Sequence, residues 1–558
     1  MNVRRHALAS LLCFAFSAAF LAQLGCERKP GATEPSLEEQ VRDAQVGILP
    51  EDAKPPNVIM ILVDAMRPDR LGVYGGKQGL SPVMDKLAKE GVTFEFCMSA
   101  APWTLPSVAT LFTSYYPGVH KATSYRVVED MEQGKQAVQS VLSEDFTTLA
   151  EVMKAGGYQT AGFVGAKFLR QGYGFGQGFD HYDTSFADNT VRGEEVNQSF
   201  FKWLDEERDA DKPLFTYLHY MDVHGPYNAA PRFLDPLMEE VEKKEDKRLL
   251  EPAQFRRINR YLMAPPPDSS DPTRFERLKG YREYWEARYS AGVAEMDFYL
   301  GQLAENLKQR GIWDDAYIIL IADHGEALCE HGLWGHGYSQ HQTDLHVPLI
   351  MRWPGVLPAD KRVRRLAGLI DVMPTLMDQL RLGGDAGDEL QGVSLVDHIA
   401  DRLPDKPLMR FAEAIKSGPR QYALYIDITK LTATYLPPQK QPDGAMSKPG
   451  VRHQLFNLVT DPSEMFDIAK QYSAQVKQMA RLMGEVVRIN MQTKPAEIIG
   501  PKPVDQQTIS ALESLGYAGG EDDEDYEDEE DEAGESPAPA PSSRPTGTTN
   551  TDAGDENP

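Results

Sequence analysis

The chain has 558 residues and a hydrophobic content of 41%, ordinary for a globular protein and too long for one small core, so the length suits a large α/β domain with a subdomain. Its formal net charge of -26 is concentrated: Glu521 to Glu532 is acidic at every position except Tyr526. The folded remainder is only moderately acidic, which argues against a nucleic-acid partner, because phosphate backbones require a basic surface.

The N-terminus reads as an export signal over residues 1–26. Arg4 and Arg5 precede an apolar stretch, Ala7 to Leu24, that is short and alanine-rich for a bilayer span. Cys26, preceded by Leu24-Gly25, resembles the lipobox cysteine of bacterial lipoproteins, although Gln23 stands where an apolar residue is usual. Lipidation of Cys26 and ordinary signal cleavage are both open, and either makes the protein exported; lipidation would anchor it in the bacterial cell envelope on the periplasmic side. Of the four cysteines, Cys97 and Cys329 belong to the folded part, and the sequence leaves their pairing undecided. Residues 27–54 are polar and read as a tether.

Ordered structure is expected from residue 55. Val58-Ile59-Met60-Ile61-Leu62-Val63 is an unbroken apolar run, as in a strand buried on both faces of a parallel sheet, and it ends in Asp64. Pro82 to Lys89 and Leu149 to Ala155 carry helical patterns, alternating with strands around Thr160 to Val164 and Leu214 to His219. Residues 236–286 are charged and poorly periodic, and read as an insertion that shapes substrate access. A helix is predicted over Val293 to Arg310, and a second buried strand, Tyr317 to Ala322, ends in Asp323-His324. Ligands of open α/β sheets bind beyond the carboxyl ends of the strands, so two strands delivering acidic residues there point to a polar site. From about residue 406 the pattern changes to short strands (Tyr422 to Ile428, Leu431 to Leu436) and a terminal helix, Ala474 to Ile489. The reading is a doubly wound α/β/α sandwich over 55–405, a smaller C-terminal α+β subdomain over 406–495, and a disordered acidic tail over 520–558.

Pro102-Trp103-Thr104-Leu105-Pro106-Ser107 reads as a loop entering a helix, with Pro106 in its first turn. Thr104 would then stand at the positive end of a helix dipole, a place that suits an anionic ester or a developing alkoxide, as well as a plain capping threonine.

Here the sequence resembles the sulfatase family of the alkaline-phosphatase superfamily, over roughly residues 56–495. Asn57 to Asp64 is similar to its first metal-binding strand, and Thr104-Leu105-Pro106-Ser107 to its nucleophile motif. Gly157 to Val164, Asp222-Val223-His224-Gly225-Pro226-Tyr227, Ala322-Asp323-His324-Gly325-Glu326, Gly335-His336-Gly337 and Leu455 to Glu464 follow in the family's order. The resemblance implies a metal-dependent ester hydrolase with Asp64, Asp323, His324 and the Thr104 oxygen as ligands of one divalent ion, Ca, Mn, Mg or Zn. His224 and His336 would contact the ester oxygens or protonate the leaving group, and Lys167 would neutralise substrate charge. Asp222, His224 and His336 could instead form a second metal site.

Two positions depart from the family. Its nucleophile position is Cys or Ser, which is converted to formylglycine; Thr104 should not give that aldehyde. Val108 replaces the Arg that helps hold formylglycine. A formylglycine hydrate expels sulfate by collapse of its second hydroxyl, whereas threonine has one hydroxyl and its covalent intermediate must be attacked at phosphorus or sulfur. The site therefore argues for direct phosphoryl or phosphonyl chemistry, with sulfuric esters retained as an alternative. The partner implied is an anionic ester carried by a glycan, lipid or small molecule. A transferase moving a phospho-substituent within the envelope and a silent member that binds anionic glycans are the competing readings.

Overall fold

The computed structural model describes residues 46–130, 134–187, 191–244, 281–383, 390–402, 408–438, 446–493 and 502–504. Residues 1–26 with Cys26, most of the tether, residues 245–280 of the insertion and the tail 520–558 lie outside the described residues.

The apolar runs form the middle of one sheet. Its strands are β1 (Val58–Val63), β2 (Val92–Met98), β3 (Gln159–Val164), β4 (His181–Asp183), β5 (Leu214–Tyr220), β6 (Tyr317–Ile321), β7 (His346–Arg352) and β8 (Lys361–Gly368). Their order across the sheet is β8-β2-β7-β6-β1-β5-β3-β4. Every residue of β1, β5 and β6 is buried, because these strands are neighbours at mid-sheet with helices covering the faces. Burying each Val, Leu or Ile side chain there contributes roughly 1.5–3 kcal/mol.

Strands β5, β1 and β6 run parallel, as do β3 with β5 and β4. The sheet is nevertheless mixed, since β7 pairs antiparallel with both β6 and β2. An isolated apolar run carries no mark of its direction, which is why this reversal was illegible in the sequence.

The helices flanking the sheet are α1 (Pro82–Lys89), α2 (Thr104–Thr113), α3 (Leu149–Ala155), α4 (Gly193–Glu206), α5 (Pro231–Glu242), α6 (Arg282–Gln309) and α7 (Val372–Gln379). Thr148 and Glu151 form a capping box at α3. Two expectations are corrected here. Helix α6 begins at Arg282, eleven residues before the predicted Val293, because Tyr284, Trp285 and Tyr289 continue its buried face. Helix α5 occupies the start of the segment read as non-periodic, even with Pro236 inside it.

The C-terminal sheet is antiparallel in the order β9 (Met409–Ala412), β10 (Gln421–Ile426), β11 (Thr429–Leu436) and β12 (Gly450–Asn457). Helix α8 (Ser473–Gln492) packs Met479 and Met483 onto it, in one cluster with Phe411, Leu424, Leu431 and Leu455. Cys97 and Cys329 are both buried and both free thiols. Among the described residues no helix is long and apolar enough to cross a membrane.

Candidate active site

The parallel register sets the site. Leu62 of β1 pairs with His219 of β5 on one side and Ile321 of β6 on the other. Asp64, His219 and the Asp323-His324 pair therefore arrive together at the carboxyl edge. Ala65, just beyond Asp64, is held in the left-handed region at φ 59, a strained conformation for alanine. That turn aims its N–H at Asp323 Oδ1 (3.2 Å), while its carbonyl accepts from Tyr289 Oη (2.6 Å).

Thr104 is the first residue of α2, a helix whose ten residues are all buried. Its hydroxyl donates to Asp64 Oδ2 at 3.3 Å and lies 3.2 Å from His324 Nε2. Ser107, one turn on, donates to the carbonyl of Asp323 at 2.5 Å and so fixes α2 against the end of β6. The Thr104 hydroxyl thus stands at the helix N-terminus beside the Asp64 carboxylate.

His324 Nδ1 lies 2.8 Å from its neighbour's carbonyl, Gly325 O, which can only accept, so Nδ1 carries a proton and Nε2 is the nitrogen turned to the carboxylates. That Nε2 lies 3.4 Å from Asp64 Oδ1 and 3.5 Å from Asp323 Oδ2. His224 has the same arrangement, with Nδ1 on Gly225 O at 2.8 Å and Nε2 4.0 Å from Asp64 Oδ1. The His336 ring lies 4.3 Å from that of His324 and 5.0 Å from that of His224.

Burial and the charge of Asp64 push Asp323 up to about 7. Asp64 goes the other way: burial raises it, but His224, His324 and His219 together hold it below the usual carboxylate range. His324 rises to about 10 despite burial, because Asp323 and Asp64 surround it. Two buried carboxylates thus compete for the positive charge of one imidazole.

A divalent cation would resolve that conflict, and the donor set fits one. Asp64 Oδ1, Asp323 Oδ2 and both ring nitrogens of His219 are buried with no hydrogen-bond partner. Ligand atoms of Asp64, His219 and Asp323 lie within 4.8 Å of one another. Carboxylate and imidazole are suitable donors for Mg, Mn, Ca or Zn.

The structure brings Thr104, Asp64, Asp323, His324, His224 and His336 together. Lys167 is buried on the helical turn Lys167–Leu169 after β3, and its neighbour Phe168 packs edge-on against Trp103, which precedes Thr104, at 6.0 Å. Asp222, named for a second metal site, is bound on one side to helix α4. Its Oδ1 accepts from Gly193 N at the start of α4 (2.9 Å), and its Oδ2 is buried without a hydrogen-bond partner.

Sequence reasoning missed two residues of the site. His219 sits inside an apolar strand, and only its pairing opposite Leu62 reveals its position. Glu326 is fully buried and meets His336 Nδ1 at 2.9 Å through Oε1. Burial pushes its carboxyl up to about 7. Its place in Asp323-His324-Gly325-Glu326 marked the segment but not the role.

The Sulfatase family's sequence model matches residues 56–382. An N-acetylglucosamine-6-O-sulfatase of Bacteroides thetaiotaomicron is 24% identical over 416 residues, spanning 62% of this chain and 71% of the relative. An arylsulfatase of Clostridium perfringens is 23% identical over 409 residues, spanning 62% and 79%. Among solved structures, a protein in complex with its substrate D-glucosamine-2-N,6-O-disulfate superposes with TM-score 0.59 at 20% identity, over 80% of this chain and 100% of that one. The phosphonate monoester hydrolase of Agrobacterium radiobacter superposes with TM-score 0.56 at 21% identity, over 81% and 100%. With a family match over more than half its length, this chain belongs to the sulfatase family of ester hydrolases.

Proposed function

We propose that the protein hydrolyses phosphoric or phosphonic esters by direct attack of Thr104, with sulfuric esters as the second substrate class. The observation that carries this reading is the Thr104 hydroxyl, at the N-terminus of α2 and within 3.3 Å of both Asp64 and His324. Asp64, Asp323 and His324, with the Thr104 oxygen and His219 as further donors, would hold a divalent cation, which would supply positive charge for a deprotonated hydroxyl and for the developing charge on the ester.

Thr104 Oγ1, which would lose its proton to solvent when the cation is loaded, bonds to phosphorus, and the bond from phosphorus to the leaving oxygen breaks. His336 protonates that oxygen from Nε2, because its Nδ1 is held by Glu326. The Glu326–His336 pair holds one exchangeable proton for this purpose; when Nε2 gives up its hydrogen, Nδ1 keeps or receives the other. His224 presents Nε2 on the Asp64 side, where it contacts a non-bridging oxygen. In the second half, water loses a proton to the Glu326–His336 pair and attacks phosphorus. The bond to Thr104 breaks, and its oxygen returns to the ionised form in which it began.

Relatives named for sulfated sugars support a glycan-borne anionic ester, and the phosphonate monoester hydrolase supports the phosphorus side. The signal read at residues 1–26, with Cys26, supports an envelope location with a lipid anchor. The test is turnover of nitrophenyl phosphate, bis-nitrophenyl phosphate, a phenyl phosphonate ester and nitrophenyl sulfate with Mn, Zn, Mg or Ca, beside Thr104→Ala. We expect metal-dependent turnover of a phosphorus ester, reduced about a thousandfold or more in the variant. Turnover of sulfate alone would overturn the phosphoryl reading, and an unimpaired Thr104→Ala would remove Thr104 as nucleophile.

A further inference from the structure

The loop that follows β9, Ala414 to Gly418, belongs to the C-terminal subdomain yet is fastened to both sides of the candidate active site. Trp103 Nε1, from the residue before Thr104, donates to Ala414 O at 2.7 Å. The backbone N–H of Lys416 donates to Gly337 O at 2.7 Å, next to His336. The contact is close: Gly337 has φ +88, and a Cβ on it would come within 2.9 Å of Lys416 Cβ. Glycine at 337 thus lets this loop lie directly over the turn carrying His336.

The Lys416 side chain is brought in with it. Its ammonium acts electrostatically on Glu326 and on His336, the pair proposed to protonate the leaving group, and lies 5.9 Å from the Tyr338 ring centre. Burial pulls this lysine well below its ordinary range, with Glu326 opposing that shift. A desolvated cation gains strongly from an incoming anion, which restores the favourable environment of its charged form.

We propose that Lys416 is a substrate-binding cation of this site, contacting a non-bridging oxygen of the anionic ester group and supplied by the second subdomain. This rests on the hydrolase reading for its substrate class. The charge arithmetic favours it. Asp64 and Asp323 offset a divalent ion, and Glu326 adds a further negative charge when ionised, so an arriving sulfate or phosphate ester needs another positive group. The C-terminal sheet then has a part in catalysis as well as in stability, because β9 and its loop set the position of that charge.

The experiment uses the full-length protein loaded with its activating metal and reads two quantities, turnover of nitrophenyl phosphate and binding of tungstate by calorimetry. A charge-assisted hydrogen bond of this kind corresponds to about 10- to 100-fold in affinity. We expect Lys416→Met to weaken tungstate binding by about that factor, with an unchanged melting temperature, while Lys416→Arg retains most of it. Thr104→Ala should still bind tungstate, so loss of turnover and loss of anion binding report separately on the nucleophile and on Lys416. Tungstate binding by Lys416→Met equal to that of the parent protein, or absent from the parent protein itself, would overturn the assignment. So would a Lys416→Arg protein as weak as Lys416→Met, which would mark a packing role.

Discussion

Two clusters in this molecule have nearly the same composition and opposite chemistry. At the carboxyl edge of the central sheet stand Asp64, His219 and Asp323; near the C-terminal sheet stand His331, His341 and Glu464, again with their ligand atoms within 4.8 Å of one another. In the second cluster the carboxylate faces a buried cation. Glu464 Oε1 meets Lys430 Nζ at 2.5 Å, and Oε2 accepts from Gln342 N at 2.7 Å and meets His341 Nδ1 at 3.0 Å. Its two imidazoles stack face to face, 3.7 Å apart and 3° from parallel. Rings stacked in that way cannot both direct in-plane lone pairs at one ion. The first cluster keeps two carboxylate oxygens and a whole imidazole without hydrogen-bond partners. Proximity of ligand-type residues therefore does not make a metal site; uncompensated negative charge in a dry place does.

The sharpest way to break this comparison is metal content. Asp323→Asn should lose its divalent ion on dialysis, by more than about a hundredfold in affinity, since even the outer partners of metal ligands typically cost 10- to 100-fold. His331→Ala and His341→Ala should retain the parent stoichiometry when metal per chain is measured by mass spectrometry. Metal lost equally from all three would make the second cluster a binding site too.

Stability should sort the clusters in the opposite order. Glu464→Ala leaves the fully buried Lys430 ammonium without its carboxylate, and breaking a buried pair in this way costs about 3–5 kcal/mol. Urea unfolding is the measurement, and turnover per folded molecule should change little. The paired replacement of Lys430 and Glu464 by Met and Leu should recover much of the loss. Failure to recover would mean that Gln342 and His341, not the ion pair, carry the clamp.

Much of the first cluster was legible in the sequence and little of the second. Asp64 and Asp323-His324 stand at the ends of apolar runs, so strand direction alone carries them to one edge. His219 and Glu326 were not legible, because one depends on sheet register and the other on a return of the chain ten residues later. Lys416 is further still: nothing near it in sequence resembles a site, and its position follows from how the loop after β9 meets Gly337. The helices over Pro82–Lys89 and Leu149–Ala155 were readable for a local reason, since apolar spacing and end signals lie within one segment. The antiparallel β7 was not, because pairing is a property of two segments.

The smallest expected effect is the acid limb of stability, where the two kinds of buried acid pull in opposite directions. Burial raises Glu464, but Lys430 and His341 more than offset it and hold the carboxyl down to about 2. The native state then binds fewer protons than the unfolded chain between pH 4.5, the ordinary glutamate value, and pH 2. Its contribution is complete above pH 4.5 and is lost as the pH falls through 2. Burial moves Asp222 to about 7 and Asp297 to about 6, and these have the reverse sign: they cost stability at neutral pH and cease to do so on acidification. The total curve therefore mixes both, and the difference between the parent protein and Glu464→Gln isolates the clamp. That difference, taken from urea midpoints, should narrow by at most about 3 kcal/mol between pH 6 and pH 2.5, the limit set by the size of the shift. A constant difference would show that Lys430 no longer distinguishes a carboxylate from an amide, and that the second cluster is held by hydrogen bonds rather than by charge.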